Sequence, residues 1–264
     1  MQKRYVTENG LRANFYHQVD GAQRRAILFL GGSEGGLLFE DLPQPLLELG
    51  HPVLCLAYFK LEGLPPSLES IPLEYFERAF DWLAAQPGIV PNEYAIIGGS
   101  KGGELALLLA SRYSQVKAVV ALVPSHVVWQ GFPKSVLSRP SFQSAWSYAG
   151  KDLPFVPIPF SPALLWGVLT FRGRKAFEQA LRNKQRVAQA TIPVEKIGCP
   201  ILLISGRQDT MWPSTPMCEE VVNRLAANRF PFPYQHVVFE TGHSLPKAKA
   251  FWPTIIGYLQ EHFA

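Results

Sequence analysis

The chain has 264 residues, 47% of them apolar and 17% charged, with a formal net charge of +4. So large an apolar share and so small a charged one exclude a disordered or solvating chain and supply a sizeable core. The positive charge forms no basic stripe and accompanies no recognisable nucleic-acid module, so nucleic acid is not an expected partner.

The N-terminus, MQKRYVTENGLRANFYHQVDG, lacks the apolar stretch of a signal peptide. No run approaches the roughly 18 apolar residues of a membrane span. The expectation is a cytoplasmic protein of a single domain, 1–264. RYVTENGLRANFYHQ alternates around Asn-Gly, a hairpin signal. Six short apolar runs follow, at 25–31, 51–59, 94–100, 116–124, 200–206 and 234–240. Their length suits strands buried on both faces of a parallel sheet. Stretches of helical period lie between them: PLEYFERAFDWLAAQ, GELALLLASRY, MCEEVVNRLAANRF and FWPTIIGYLQEHF. Strands alternating with helices imply right-handed βαβ units. With the hairpin they predict an eight-stranded, mostly parallel sheet flanked by helices. The rhythm fails over 125–193, where no strand is expected and Trp129, Phe132, Phe142, Trp146, Tyr148, Phe155, Phe160 and Trp166 cluster among prolines. An insertion this long in a compact domain is usually functional, and it reads as a cap over the carboxyl edge of the sheet. FRGRKAFEQALRNKQR, 171–186, reads as one basic helix within it. The three cysteines, Cys55, Cys199 and Cys218, are scattered without a CxxC pair, against a disulfide framework or a zinc site. Cys55 and Cys199 read as buried thiols.

The most informative stretch is EYAIIGGSKGGELALLLASRY, where Gly98-Gly99-Ser100-Lys101-Gly102 closes an apolar strand and opens a helix. A G-x-S-x-G in that context is a nucleophile elbow. The turn is tight, so the reading assigns Gly98, Gly99, Gly102 and Gly103 to making room, while the helix N-terminus favours developing negative charge. A serine hydroxyl needs a base, and the base an orienting acid. In the chain order that accompanies such an elbow these follow it as Asp or Glu, then His. Asp209, in ISGRQDTMWP, and His243, in FETGHSLP, each follow an apolar strand, and loops at the carboxyl ends of strands are where open α/β sheets gather their sites. His243 is assigned as the base and Asp209 as its orienter. His126 is the second choice of base. His17 and His51 precede the elbow, His236 lies within a strand, and His262 is at the C-terminus. For the oxyanion hole, the backbone N–H of Lys101 is one candidate. Ser33, then Glu34, in the loop Gly31-Gly32-Ser33-Glu34-Gly35-Gly36 supply the other. That loop has no GxxxxGK[ST] pattern of a phosphate cradle. This chemistry requires no metal and no cofactor.

GGSKGGELALLLASRY, with the GGSEGG loop, LAYF at 56–59, LEYFERAFDWL and SGRQDTMWPS, resembles the catalytic domain shared by acyl-CoA thioesterases and bile acid-CoA:amino acid N-acyltransferases. More distantly the chain is similar to hydrolases of dienelactone-hydrolase type. The resemblance runs from about Arg25 to the C-terminus. It implies an α/β-hydrolase fold, a triad of Ser100, Asp209 and His243, and a small-molecule acyl thioester or ester as substrate. Family members often carry an N-terminal β-sandwich domain; with some 24 residues before the first central strand, the expectation is that it is absent here. The conjugating transferases use cysteine as nucleophile. Serine favours water as acceptor, because an oxygen ester gives up its acyl group to an amine less readily than a thioester does. The expected activity is therefore that of a serine esterase or thioesterase. An acyltransferase, a peptidase and a catalytically inactive binding module on the same fold stay open. Arg172, Arg174 and Lys175, with Arg182, Lys184 and Arg186, suit the phosphates of CoA or else form a solvated face. Trp129 and Trp146 either line an acyl channel or pack.

Overall fold

The computed structural model describes residues 2–18, 20–37, 43–133, 142–159, 161, 166–167, 170, 172–244 and 249–264. Phe160 and Phe171 lie outside them. In chain order the strands are β1 (Gln2–Val6), β2 (Arg12–His17), β3 (Arg24–Leu30), β4 (Val53–Ala57), β5 (Ile71–Pro72), β6 (Ile89–Gly99), β7 (Val116–Leu122), β8 (Trp146–Tyr148), β9 (Lys151–Asp152), β10 (Ile201–Gly206) and β11 (Tyr234–Phe239). The α-helices are α1 (Gln44–Glu48), α2 (Glu74–Ala84), α3 (Lys101–Ala110), α4 (Arg174–Ala180), α5 (Lys184–Ala190), α6 (Ser214–Ala227) and α7 (Trp252–His262).

Eight strands form one sheet in the order β1-β2-β4-β3-β6-β7-β10-β11. β1 and β2 make the expected hairpin, turning through Asn9 and Gly10 at φ 54° and 73°, and β2 pairs antiparallel with β4. From β4 to β11 all pairings are parallel. This is the α/β-hydrolase sheet. Alternation along each strand divides the core. Leu28, Leu30, Ile96, Val119 and Leu203 face one layer, with side chains of α2, α3 and α6. Ile27, Phe29, Ile97, Val120 and Leu202 face the other, with α1 and α7. Period two in the strands and 3.6 in the helices thus produce two apolar layers from one sheet.

The segment 125–193 differs from expectation in two ways. It does contain strands: β8 and β9, which with β5 form a small three-stranded sheet. The basic run is two helices, α4 and α5. Asn183 interrupts it, its side-chain Oδ1 accepting the Arg186 N–H at 3.1 Å as an N-cap, the role in which Asn outcompetes continuation of a helix.

All three cysteines are free and buried. Burial pushes the thiols of Cys55 and Cys199 up to about 12 and that of Cys218 well above its ordinary value. The thiolate is the reactive form. Native protein is therefore expected not to react with an aromatic disulfide reagent at neutral pH, and all three thiols to react in guanidinium. A thiol that titrates rapidly in the native state would contradict this burial.

Candidate active site

Ser100 stands between β6 and α3 at φ 56°, ψ −117°, a conformation that costs a residue with a Cβ. Its amide donates to Leu122 O at 2.8 Å, which holds the turn to the adjoining strand. It occupies the N-cap position of α3, yet its hydroxyl caps nothing and lies 2.9 Å from His243 Nε2 instead. The packing around it explains most of the glycines. A Cβ on Gly98 would lie 2.0 Å from Gly102 O. One on Gly102 would lie 2.3 Å from Gly31 O, and one on Gly103 3.0 Å from Leu122 O. These contacts are with backbone, which no side-chain rotation relieves. Gly99 differs from the sequence expectation: nothing lies within 4 Å of its absent Cβ, so space alone does not require glycine there.

Asp209 lies in the loop after β10 and is fully buried. Its Oδ2 is 2.9 Å from His243 Nδ1. Its Oδ1 accepts the amides of Met211 at 2.9 Å and Trp212 at 3.2 Å. With the carboxylate as acceptor, the tautomer that satisfies both contacts has its proton on Nδ1 and leaves Nε2 to accept from the Ser100 hydroxyl. The loops holding Asp209 and His243 are stitched together. Gln208 N–H donates to Thr241 O at 3.0 Å, and a Cβ on Gly206 would meet Thr241 O at 2.5 Å. Trp212 stands edge-on to the His243 ring, centroids 5.6 Å apart. Its indole N–H donates to Val123 O at 3.0 Å. Val123 has φ 42°, a strained state for a β-branched residue.

The other histidines lie elsewhere. His236 Nε2 is 2.7 Å from Ser205 Oγ. Burial pushes His126 down to about 4, and among the described residues nothing bonds its Nδ1. His126 lines a cavity of about 530 Å³ between α5 and α6, whose walls include none of Ser100, Asp209 and His243.

Lys101 is the first residue of α3, so its amide has no acceptor within the helix. Its side chain shows what sequence reasoning missed. The ammonium is buried and bonded to both oxygens of Glu104, at 2.7 and 2.8 Å. It lies over the rings of Trp146 and Phe132, at 5.4 and 5.9 Å. Glu104 Oε1 also accepts the Trp146 indole N–H at 2.8 Å and the Trp129 amide at 3.3 Å. Burial is the largest influence on both groups, driving Lys101 down and Glu104 up, and their mutual attraction opposes it. The signal in the sequence was a Lys and a Glu three apart, one helical turn, inside an otherwise apolar helix. Trp129 and Trp146 are fully buried. In the other loop Gly32 adjoins the nucleophile, its absent Cβ 3.2 Å from Ser100 Cβ. Gly32 N–H donates to Glu34 Oε1 at 2.8 Å, and Tyr58 OH donates to Gly31 O at 2.6 Å. Ser33 and Glu34 form the exposed turn that follows. Of the basic residues expected to bind substrate, Arg172 and Lys175 are exposed. Arg174 pairs with Glu178 and donates to the backbone carbonyl of Asp209 at 3.2 Å.

Comparison with known proteins identifies the family. The family described as BAAT / Acyl-CoA thioester hydrolase C terminal matches residues 71–255. Acyl-coenzyme A thioesterase 6 of Homo sapiens is 30% identical over 265 residues, covering 96% of this chain and 57% of that protein. Acyl-coenzyme A amino acid N-acyltransferase 2 of Mus musculus is 33% identical over 231 residues, covering 85% and 50%. The chain thus spans about half the length of these curated relatives. A solved protein of Klebsiella pneumoniae assigned as a dienelactone hydrolase superposes with a TM-score of 0.62 over 98% of each chain at 16% identity, a likeness of fold.

Two predictions follow from the packing. Gly98→Ala forces the elbow apart and is expected to lower kcat/KM on the order of 100-fold, the effect of misplacing a reacting group by about an ångström. Gly99→Ala is expected to stay within about threefold; equal losses for the two would refute the steric argument. Glu104→Gln leaves the buried Lys101 charge without its partner and is expected to cost about 3–5 kcal/mol in urea unfolding, most of it recovered in Lys101→Met/Glu104→Gln. A single-variant cost below about 1 kcal/mol would show that the pair does not carry opposite charges.

Proposed function

The chain belongs to the BAAT / acyl-CoA thioester hydrolase C-terminal family, and on that premise we propose that it is a serine hydrolase acting on acyl thioesters, acyl-CoA foremost, or on carboxylic esters. The observation that carries the reading is the unbroken relay from Asp209 through His243 to Ser100, 2.9 Å at each step. Ser100 Oγ attacks the acyl carbonyl carbon as His243 Nε2 takes its proton, and Asp209 stabilises the imidazolium. The carbonyl oxygen becomes an oxyanion facing the Lys101 amide and the amide of Ser33, with Glu34 next in the same loop. His243 returns the proton to the leaving sulfur or oxygen as its bond to the acyl carbon breaks. Water, deprotonated by His243, then attacks the ester on Ser100, and the acid leaves as the bond to Ser100 Oγ breaks and His243 returns the proton to that oxygen.

The relative named as an amino acid N-acyltransferase supports a second reading, in which an amine replaces water. The serine nucleophile weighs against it, since aminolysis of an oxygen ester is the slower reaction. The test is hydrolysis of a panel of acyl-CoA thioesters and matched p-nitrophenyl esters by wild type and Ser100→Ala. Thioesters are expected to have the higher kcat/KM, and Ser100→Ala to lose at least about a thousandfold. A fluorophosphonate should label wild type alone. Product that forms only when an amino acid is supplied would establish the transferase. A folded protein that neither turns over nor labels would sink the enzyme reading.

A further inference from the structure

We propose that α4 is a positioning element for the Asp209–His243 pair, with Phe177 and Arg174 as its positioning residues, and that Arg174 does not grip the substrate's leaving group. This rests on the triad reading above.

His243 needs a buttress. It sits in the loop after β11, an edge strand with a single neighbour, β10, and its side chain is 17% exposed. Its hydrogen bond to Asp209 sets a direction but leaves the face of the ring free. Trp212 packs against the ring, perpendicular to it at 81° with centroids 5.6 Å apart. Behind Trp212 stands Phe177 of α4, edge-on again at 5.7 Å and 83°. Behind Phe177 stands Trp129, at 4.9 Å and 84°, whose amide bonds Glu104 of α3. A packed path therefore leaves the helix that begins at the nucleophile, crosses the 125–193 segment and ends on the base. Trp129, Phe177, Trp212 and Met217 belong to an apolar cluster separate from the two that cover the sheet. Edge-to-face pairs at these spacings have preferred angles as well as distances, so they fix orientation.

The start of α4 is also seated on the acid's own loop. Arg174 N–H donates to Thr210 O at 3.1 Å, and Arg174 Nη1 donates to Asp209 O at 3.2 Å. A Cβ on Gly173 would come within 3.0 Å of Met211 O. The guanidinium is thus engaged by Asp209 O and by Glu178, whereas Arg172 and Lys175 on either side are exposed. The neighbours can meet an anion. Arg174 holds a loop.

The experiment compares Phe177→Ala, Phe177→Leu and Arg174→Gln on one acyl group presented as its CoA thioester and as its p-nitrophenyl ester. Fluorophosphonate labelling and urea unfolding are run alongside, with Ser100→Ala in the same panel. A positioning role predicts that Phe177→Ala lowers kcat by about 10- to 100-fold on both substrates with KM within about threefold. Labelling should slow in parallel, and Phe177→Leu should recover most of the rate. Arg174→Gln should lower kcat alike on both substrates. Leu225→Ala, in the separate core beneath α6, should lose stability and keep kcat. A rise in KM for the thioester alone in Arg174→Gln would return Arg174 to leaving-group binding. Unchanged kcat in Phe177→Ala, with only lower stability, would reduce Phe177 to core packing. Either result overturns the proposal. Should Phe177→Ala fail to fold, Arg174→Gln decides it, since the Arg174 side chain is 34% exposed. Activity retained by Ser100→Ala would instead mark a failure of the triad reading.

Discussion

Everything at the carboxyl edge of the sheet depends on how closely β6 approaches α3. Gly98 and Gly102 let the strand and the helix that follows it meet backbone to backbone, and Gly102 lets that helix rest on Leu30 and Gly31 of the neighbouring strand and loop. The contact forces Ser100 into a backbone state it would not choose. It also turns the hydroxyl away from its ordinary capping partner and toward His243. The strain persists because parallel strands clamp β6 on both sides. Strain of this kind is stored where the surroundings over-determine it, and here they are a close-packed sheet on one side and a fully buried helix on the other.

The buried ion pair of Lys101 and Glu104 extends that scaffold sideways. A paired charge in an apolar core is an indifferent source of stability compared with apolar residues of the same shape. What it does supply is direction. Glu104 gathers Lys101, the Trp146 indole and the Trp129 amide on one carboxylate. The segment 125–193 is thereby tied to the nucleophile's helix by bonds that have only one geometry. Trp129 and Trp146, which from sequence either line an acyl channel or pack, are the inner face of that tie. Composition cannot distinguish a wall that faces a ligand from one that faces a helix, because both are aromatic.

The elements that repeat were legible in the sequence, and those that depend on a single distant partner were not. Six apolar runs at strand length, separated by helical period, suffice for the sheet, because burial on both faces leaves a continuous signature. Ser100, Asp209 and His243 could be placed from the strand each one follows. Gly99 could not be separated from Gly98, since the distinction lies in what each absent Cβ would meet. The break at Asn183 was present as a capping residue, but a run of helix formers on both sides hid it. The Lys101–Glu104 pair was readable only as a spacing, and the spacing does not reveal that both side chains turn inward. The role of Arg174 was least legible of all, because its partner is a backbone carbonyl 35 residues away.

On the proposed reading, the base has to move a proton twice in each half of the reaction, in acylation first from Ser100 to itself and then to the leaving group. A histidine locked in a central strand would hold one geometry well and the other poorly. Placing it after the edge strand β11 leaves its loop room for a small displacement, but an edge loop alone is too loose for chemistry that tolerates about half an ångström. The arrangement answers both demands by anchoring the partners of His243 more firmly than His243 itself. Asp209 is buried and held by the Met211 and Trp212 amides, and Trp212 is held by Val123. The imidazole is then bounded by a buried carboxylate on one side and by the perpendicular Trp212 ring on another, so the more weakly held member of the relay is enclosed by the more firmly held ones.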